Sequence, residues 1–141
     1  MDIKQRVLRL CRKHGTRDPF ELAERLHILV RLEPLGSING YYNQCYRQKF
    51  IHINEDLPRR RQEFTCAHEL GHAVLHPNAN TPFLRENTLF RVSRLETEAN
   101  RFAVELLCPD ELLREYPEYG RSQLSQLLGL REELLDYKDF S

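Results

Sequence analysis

Residues 63–77 read EFTCAHELGHAVLHP, and they place two histidines and a glutamate among residues that are otherwise typical of a protein core. The three polar residues are His68, Glu69 and His72, and their neighbours are mainly Cys, Ala, Leu and Val. Burying a polar side chain costs free energy unless it is paired, and burying a charge costs several times more. The sequence therefore predicts a partner for these side chains.

A metal ion is the partner that the spacing favours. In an α-helix, His68 and His72 are four residues apart and lie on one face, where two imidazoles can bind a single zinc ion. Glu69 lies beside them, offset from the metal but able to hold a catalytic water, as in an HExxH site. The alternative is a pair of core histidines that hydrogen-bond to the backbone, with Glu69 in an ion pair.

Catalytic zinc needs a third protein ligand. A metzincin would supply a histidine six residues after His72 and a glycine three residues after it, but position 78 is asparagine and position 75 is leucine. That class is excluded. The remaining common ligand is a carboxylate from a second helix, and residues 94–109, RLETEANRFAVELLCP, form the downstream helical segment with glutamates near its start.

Helical spacing distinguishes the two glutamates of this segment. Glu96 borders the apolar face that contains Ala99 and Ala103, and it is the predicted ligand. Asn100 lies one turn further on and is predicted to fix an imidazole N–H. Glu98 falls on the wetter side, where a charged first turn that complements the helix dipole is the favoured interpretation.

The segments before residue 63 predict two helices and a small sheet. Residues 2–14 have helical periodicity ending at Gly15, and a second helix begins at Asp18 as N-cap, with Pro19 in the first turn and Glu21 in the capping-box position. From residue 27 the period changes to two, and turn residues at 36–40 separate further strand-like runs. The prediction is an antiparallel sheet of about three strands.

The segments from residue 54 onward are predicted to be mainly helical. Asp56 is the expected cap, with Pro58 in the first turn, of a long helix that reaches about His76. Residues 77–94 are predicted to be a loop or lid, and helices are predicted over 95–108, from Pro109, and over about 122–137. The fold class is therefore α+β, with the sheet packed on a helical bundle that contains the HExxH helix.

Composition limits the possible partners. The chain has 21 basic and 21 acidic residues, and this zero net charge argues against direct nucleic-acid binding. The run Arg59–Arg61 is interpreted as an exposed first turn. No stretch reaches the roughly 18 apolar residues of a membrane span and no signal peptide is evident, so a cytoplasmic location is expected. The four scattered cysteines are expected to be reduced and mostly buried.

Two linked motifs resemble one known family. AHELGHAVLH followed by ETEANRFAVELLCPDELL is similar to the ImmA/IrrE zinc metalloproteases, and the resemblance covers roughly residues 40–115. It implies a minimal zincin-like fold and a gluzincin-like site, with His68 and His72 as zinc ligands, Glu69 as catalytic base and Glu96 as third ligand. It also implies cleavage of helix-turn-helix repressors, the role of members encoded by prophages and conjugative elements.

The resulting prediction is one metallopeptidase domain over residues 1–141. It comprises N-terminal helices and a first strand (1–35), a zincin-like core (36–115) and a C-terminal helix (116–141). Two rival hypotheses remain open, namely a zinc-stabilised module that sequesters a repressor without proteolysis, and a metal-free helical scaffold.

Several details of the catalytic site are open at this point. The strand KFIHIN (49–54) is a candidate for pairing with an extended substrate. Tyr41, Tyr42 and His76 are candidate donors to the oxyanion. His76 is otherwise expected to order the end of the long helix or to face the mouth of the cleft.

Overall fold

The computed structural model describes residues 2–79 and 89–140, which form helices and one small three-stranded sheet. The α+β class is therefore confirmed. In chain order the elements are α1 (Ile3–His14), α2 (Pro19–Arg25), β1 (Leu29–Glu33), β2 (Gly40–Cys45), β3 (Gln48–Asn54), α3 (Arg59–Leu75), α4 (Leu89–Leu107), α5 (Asp110–Glu115), α6 (Arg121–Leu128) and a 3-10 helix (Glu132–Tyr137). Across the described residues, no helix is both long and apolar enough to span a bilayer.

The sheet is mixed, so the prediction of a wholly antiparallel sheet is wrong. Its strand order is β1-β3-β2, in which β3 is antiparallel to β2 and parallel to β1. The mixed arrangement arises because the connection between β1 and β2, residues 34–39, crosses past the position of β3, so that β3 later pairs between the two strands. The Asn54 amide, at the end of β3, holds this crossing by donating to the carbonyls of Gly36 (2.9 Å) and Ile38 (3.1 Å).

The central position of β3 also corrects a functional prediction. Residues 49–54 were expected to pair with an extended substrate, but β3 already has β1 along one edge and β2 along the other. Its backbone N–H and C=O groups are therefore used within the sheet, and β2 is an edge strand of the described sheet instead.

Local capping places the first two helices as predicted, with one difference. The side chain of Asp2 caps α1, Gly15 ends it with φ 67°, and Asp18 caps α2 by accepting from the Phe20 N–H at 2.9 Å. The predicted capping box is wrong, because the N–H of Asp18 donates to the Thr16 hydroxyl, which in turn donates to Glu21.

Helix α3 forms the centre of the molecule, and residues 65–73 along it are all buried. It begins at Arg59 with Pro58 as N-cap, so the prediction of Asp56 as cap is wrong. The N–H of Asp56 instead donates to the side chain of Asn54, within the turn that precedes the helix. Buried side chains from the sheet, α3 and α4 meet in one core: Tyr42, Ile51, Ile53, Cys66, Leu70, Phe102 and Leu106.

Helices α3 and α4 cross closely at Gly71. A Cβ atom at this position would lie 3.0 Å from Phe102 Cβ and 3.2 Å from Ala99 Cα, which is closer than ordinary carbon–carbon contact. The absence of a side chain on Gly71 therefore allows the two backbones to approach.

Helix α4 begins six residues earlier than predicted. Residues 89–94, assigned to a loop or lid from the sequence, belong to this helix, while residues 80–88 of the same prediction lie outside the described residues. Leu89, Val92 and Leu95 follow helical spacing, and the prolines at 77 and 82 obscured where that spacing resumes.

The C-terminal segment is not the single helix predicted for residues 122–137. Helix α6 ends at Leu128, Gly129 takes a left-handed conformation (φ 69°), and the 3-10 helix follows. A Cβ atom at Gly129 would lie 2.6 Å from Arg60 Cβ, so the break depends on close packing against α3.

A buried ion cluster holds the end of the chain. The ammonium group of Lys138 is fully buried and donates to Glu105 (2.7 Å) and Asp110 (2.8 Å); we call these three residues the C-terminal latch. The latch fixes the segment that follows Gly129 against α4 and α5.

The cysteine prediction is confirmed. All four thiols are free, Cys11, Cys66 and Cys108 are buried, and Cys45 is exposed.

Candidate metal centre

Three side chains converge where α3 and α4 cross. The Glu96 carboxylate lies between the imidazoles of His68 and His72, with its two oxygens 3.0 Å and 2.9 Å from their respective Nε2 atoms. One potential ligand atom from each residue lies within 4.8 Å of the other two. Both histidines are buried. The arrangement could hold a metal ion, and the structure thus brings together the three residues that the sequence nominated as ligands.

The protonation of these groups suits a cation. Burial lowers the pKa of His72 to about 4 despite its contact with Glu96, so the imidazole is neutral at pH 7. Burial acts to raise the pKa of Glu96, but hydrogen bonds with His68 and His72 outweigh it and hold that pKa well below the usual carboxylate range. Neutral imidazole and ionised carboxylate are the forms that bind metals. The donor set therefore fits a divalent cation.

His68 differs from His72 in its electrostatic surroundings. Burial acts to lower the pKa of His68, but its hydrogen bond to Glu96 and the nearby charge of Glu69 raise it overall. Asn100, predicted to fix an imidazole N–H, adds a hydrogen bond that also raises the pKa of His68. Positive charge is thus stabilised at the point where the Glu96 carboxylate meets the two imidazoles.

A cleft of about 400 Å³ opens beside this group. Its floor includes His68, Glu69 and Glu96, and Glu69 is almost fully buried. One wall is the segment 37–40 that leads into β2, and another contains Arg131 and Leu134. His72 is fully buried and does not line the cleft, so a molecule between the two walls would meet Glu69, His68 and Glu96.

Gly40 shapes the first wall. A Cβ atom there would lie 2.5 Å from Thr65 Cγ2 and 2.6 Å from the carbonyl oxygen of His52, so a larger residue would displace this segment. The wall therefore depends on a glycine at the start of β2.

His76 and Glu98 form a contact that the sequence analysis missed. Nδ1 of His72 lies 3.2 Å from Nδ1 of His76, and Nε2 of His76 lies 2.7 Å from Glu98. Glu98 therefore contacts His76, whereas Glu96 contacts His68 and His72. The available signal was the spacing of His76, four residues after His72 on the same helical face.

The candidate oxyanion donors do not line the cleft. The hydroxyl of Tyr42 donates to the Pro77 carbonyl at 2.6 Å, and the ring of Tyr41 stacks on His52 at 4.2 Å. With His76 held between His72 and Glu98, none of the three lines the cleft among the described residues.

His52 received no role from the sequence, and the structure gives it a local one. Its two ring nitrogens contact Glu33 on β1 and Asn43 on β2 (2.8 Å for the second contact), so it joins all three strands.

The chain matches known proteins over most of its length. Residues 23–138 match the peptidase family M78, described as the IrrE N-terminal-like domain. The uncharacterized immunity region protein 2 of Bacillus phage phi105 is 45% identical over 142 residues, covering 99% of this chain and 90% of that protein. Metallopeptidase ImmA of Bacillus subtilis (strain 168) is 32% identical over 142 residues, covering 96% and 83% respectively.

The fold is shared with a solved structure of a longer protein. A Mycobacterium tuberculosis transcriptional regulator superposes with a TM-score of 0.65 at 18% identity, and the match covers 96% of this chain. This chain spans 45% of the length of that regulator, so the shared part is one portion of a longer protein.

Proposed function

Because this chain belongs to the IrrE N-terminal-like family of metallopeptidases, we propose that it is a zinc-dependent endopeptidase that cleaves a helix-turn-helix repressor of a phage or mobile element. The observation that carries the proposal is the convergence of His68, His72 and Glu96 within 4.8 Å, beside a cleft that also contains Glu69. Two imidazoles and one carboxylate, with one position left open, are the donor set of a catalytic zinc site.

The chain's own residues divide the work of hydrolysis. His68, His72 and Glu96 would hold zinc, which when bound supplies a Lewis acid that polarises the scissile carbonyl. Glu69 takes a proton from the attacking water and delivers it to the leaving amine. Glu69 is positioned for this role because it lies in the cleft next to His68 in the chain and is almost fully buried.

Glu98 and His76 would orient one of the ligands. If His72 binds the metal through Nε2, its proton resides on Nδ1, which faces His76 Nδ1 at 3.2 Å. His76 then accepts at Nδ1 and carries its own proton on Nε2, which donates to Glu98 at 2.7 Å. A hydrogen bond of this kind fixes the tautomer and ring orientation of a metal-binding histidine.

The repressor target is supported by the names of the relatives, and an extended peptide as substrate is supported by the position of the cleft. One relative is named for a phage immunity region and another is named Metallopeptidase ImmA. The cleft lining includes Gly40, the first residue of edge strand β2, where an extended peptide could add its backbone hydrogen bonds.

The test uses a helix-turn-helix repressor of a phage or mobile element as substrate, by preference one encoded beside the gene for this protein, with fragments detected by mass spectrometry. The parent protein is expected to cut it, and a zinc chelator is expected to stop the cutting. Glu69→Gln is expected to retain one zinc per chain and to lose cleavage. Glu63→Gln, an exchange on the same helix outside the cleft, is the control and should cut at the parent rate.

Two results would contradict the proposal. A Glu69→Gln protein that still cuts at the parent rate would remove Glu69 from the mechanism. A parent protein that binds zinc and the repressor but leaves the repressor intact would instead support the sequestering module.

A further inference from the structure

We propose that Arg61 and Arg131 form a subsite for an acidic side chain of the substrate, so that the enzyme prefers glutamate or aspartate beside the scissile bond. The inference rests on the proposed peptidase function, because it assigns a specificity to the same cleft. It begins from Arg61, a residue of the basic run that the sequence analysis interpreted only as an exposed helical turn.

The three arginines of that run have different surroundings. Arg59 pairs with Glu63 and lies over the Phe20 ring, and Arg60 packs against Gly129. Arg61 instead lines a small cavity of about 60 Å³. This cavity and the main cleft have five lining residues in common: Asn39, Phe64, Thr65, Arg131 and Leu134. The small cavity is therefore a side branch of the cleft.

The cleft and its side branch are lined by residues of opposite charge. The metal end of the cleft contains Glu69 and Glu96, whereas the charged residues that line the side branch are Arg61 and Arg131. Arg131 has a contact with Glu133 at 3.7 Å, but both side chains are about two-thirds exposed, and such a pair contributes little. Guanidinium groups bind carboxylates through paired, charge-assisted hydrogen bonds, so the two arginines that line the branch could both contact a carboxylate placed there.

The position of Arg131 is fixed by the fold. The left-handed Gly129 turns the chain back after α6, and Leu130 and Leu134 on either side of Arg131 are buried. The C-terminal latch then holds Lys138 against α4 and α5. Arg131 is therefore presented at the cleft from a segment anchored on both sides.

Phe64 and Leu134, two of the five shared lining residues, give the branch an apolar lining next to its cations. That combination suits the methylene groups and terminal carboxylate of glutamate. A lysine or arginine of the substrate would meet like charge at the same point.

The test measures peptide binding separately from cleavage. The probe is a pool of synthetic decapeptides in matched pairs that differ by glutamate or glutamine at one position. Zinc-loaded Glu69→Gln protein is used to capture peptides, and bound peptides are counted by mass spectrometry. We expect the glutamate member of a pair to be enriched about tenfold over the glutamine member at one particular position in the peptide. A charge-assisted contact would give an enrichment of this size.

Three variants make the result specific. In the Glu69→Gln protein, the additional substitution Arg131→Gln is expected to abolish the enrichment of glutamate peptides. The additional substitution Arg131→Glu is expected to invert the preference toward lysine-containing peptides. Arg114→Gln changes net charge equally at an exposed position outside both cavities, and it should leave the enrichment intact.

Equal capture of both members of each pair, or an enrichment that survives Arg131→Gln, would overturn the subsite. Strong glutamate enrichment by a protein whose parent form cuts no peptide would instead leave the subsite standing and refute the peptidase function.

Discussion

Replacing Gly71 by alanine should weaken zinc binding more than it weakens folding. The new Cβ atom would meet Phe102 Cβ at 3.0 Å, Ala99 Cα at 3.2 Å and Phe102 Cδ1 at 3.2 Å. Two of these three atoms belong to the backbone of α4 or are attached directly to it, so a side-chain rotation cannot relieve the contacts. Helix α4 must move away from α3.

The size of this movement can be worked out from the contacts. Ordinary carbon–carbon contacts lie at roughly 3.5–4.0 Å, so the helices must separate by about 0.5 Å. Metal–ligand distances tolerate deviations of only about 0.2 Å. Since His68 and His72 lie on α3 and Glu96 lies on α4, the separation acts directly on the distance between the ligands. We expect zinc affinity to fall about tenfold or more, the range seen when groups supporting a metal site are disturbed.

Folding should respond less, because two effects oppose each other. Alanine is favoured over glycine inside a helix by about 1 kcal/mol, whereas overpacking a core costs about 1–3 kcal/mol. The free energy of unfolding of the zinc-free protein is therefore expected to stay level or to drop by at most about 2 kcal/mol.

The assay is competition for zinc against a chromophoric chelator, together with urea unfolding of the zinc-free protein. Gly120→Ala is the matched control, since the nearest atom to its new Cβ would be Gln123 Oε1 at 3.9 Å. A folded Gly71→Ala protein with the zinc affinity of the parent would refute the link between helix separation and metal geometry.

Three further outcomes follow from the same structure. Lys138→Met removes the cation from the buried Glu105 carboxylate and should cost about 3–5 kcal/mol, seen as a melting temperature about 10 °C lower; an unchanged melting temperature would contradict this. The hydrogen bond from Lys138 lowers the pKa of Asp110, so its stabilising contribution exists above the ordinary aspartate pKa and disappears as pH falls. The stability deficit of Asp110→Asn should therefore vanish in acid and persist at pH 7. Iodoacetamide should modify the native protein once, at Cys45, because burial raises the pKa of the Cys66 thiol and shields it; adducts at Cys66 would contradict the core packing.

The sequence predicted the features that depend on local periodicity. The end of α1 at Gly15 and the start of α2 after Asp18 follow from local capping residues, and the shared face of His68 and His72 follows from the helical repeat. Glu96 was distinguishable from Glu98 because the apolar face of α4 passes through Ala99, three residues after Glu96.

The features that the sequence did not predict depend on distant contacts. The parallel pairing of β1 with β3 depends on the crossing that Asn54 holds, and the break after α6 depends on contact between Gly129 and Arg60. Helical periodicity within one segment contains no information about either contact. The pairing of His76 with Glu98 likewise required both helices in place.

Residues without polar side chains are as important for the candidate metal centre as the three proposed ligands. A carboxylate on α4 reaches both imidazoles only if the two helix backbones nearly touch, and Gly71 against Ala99 allows this. The same close crossing also sets which face of α4 is turned toward α3, and therefore brings Glu98 to His76. An HExxH helix that carried a larger residue in place of Gly71 would keep its histidines and its glutamate but would need a longer reach, or a different helix, for its third ligand.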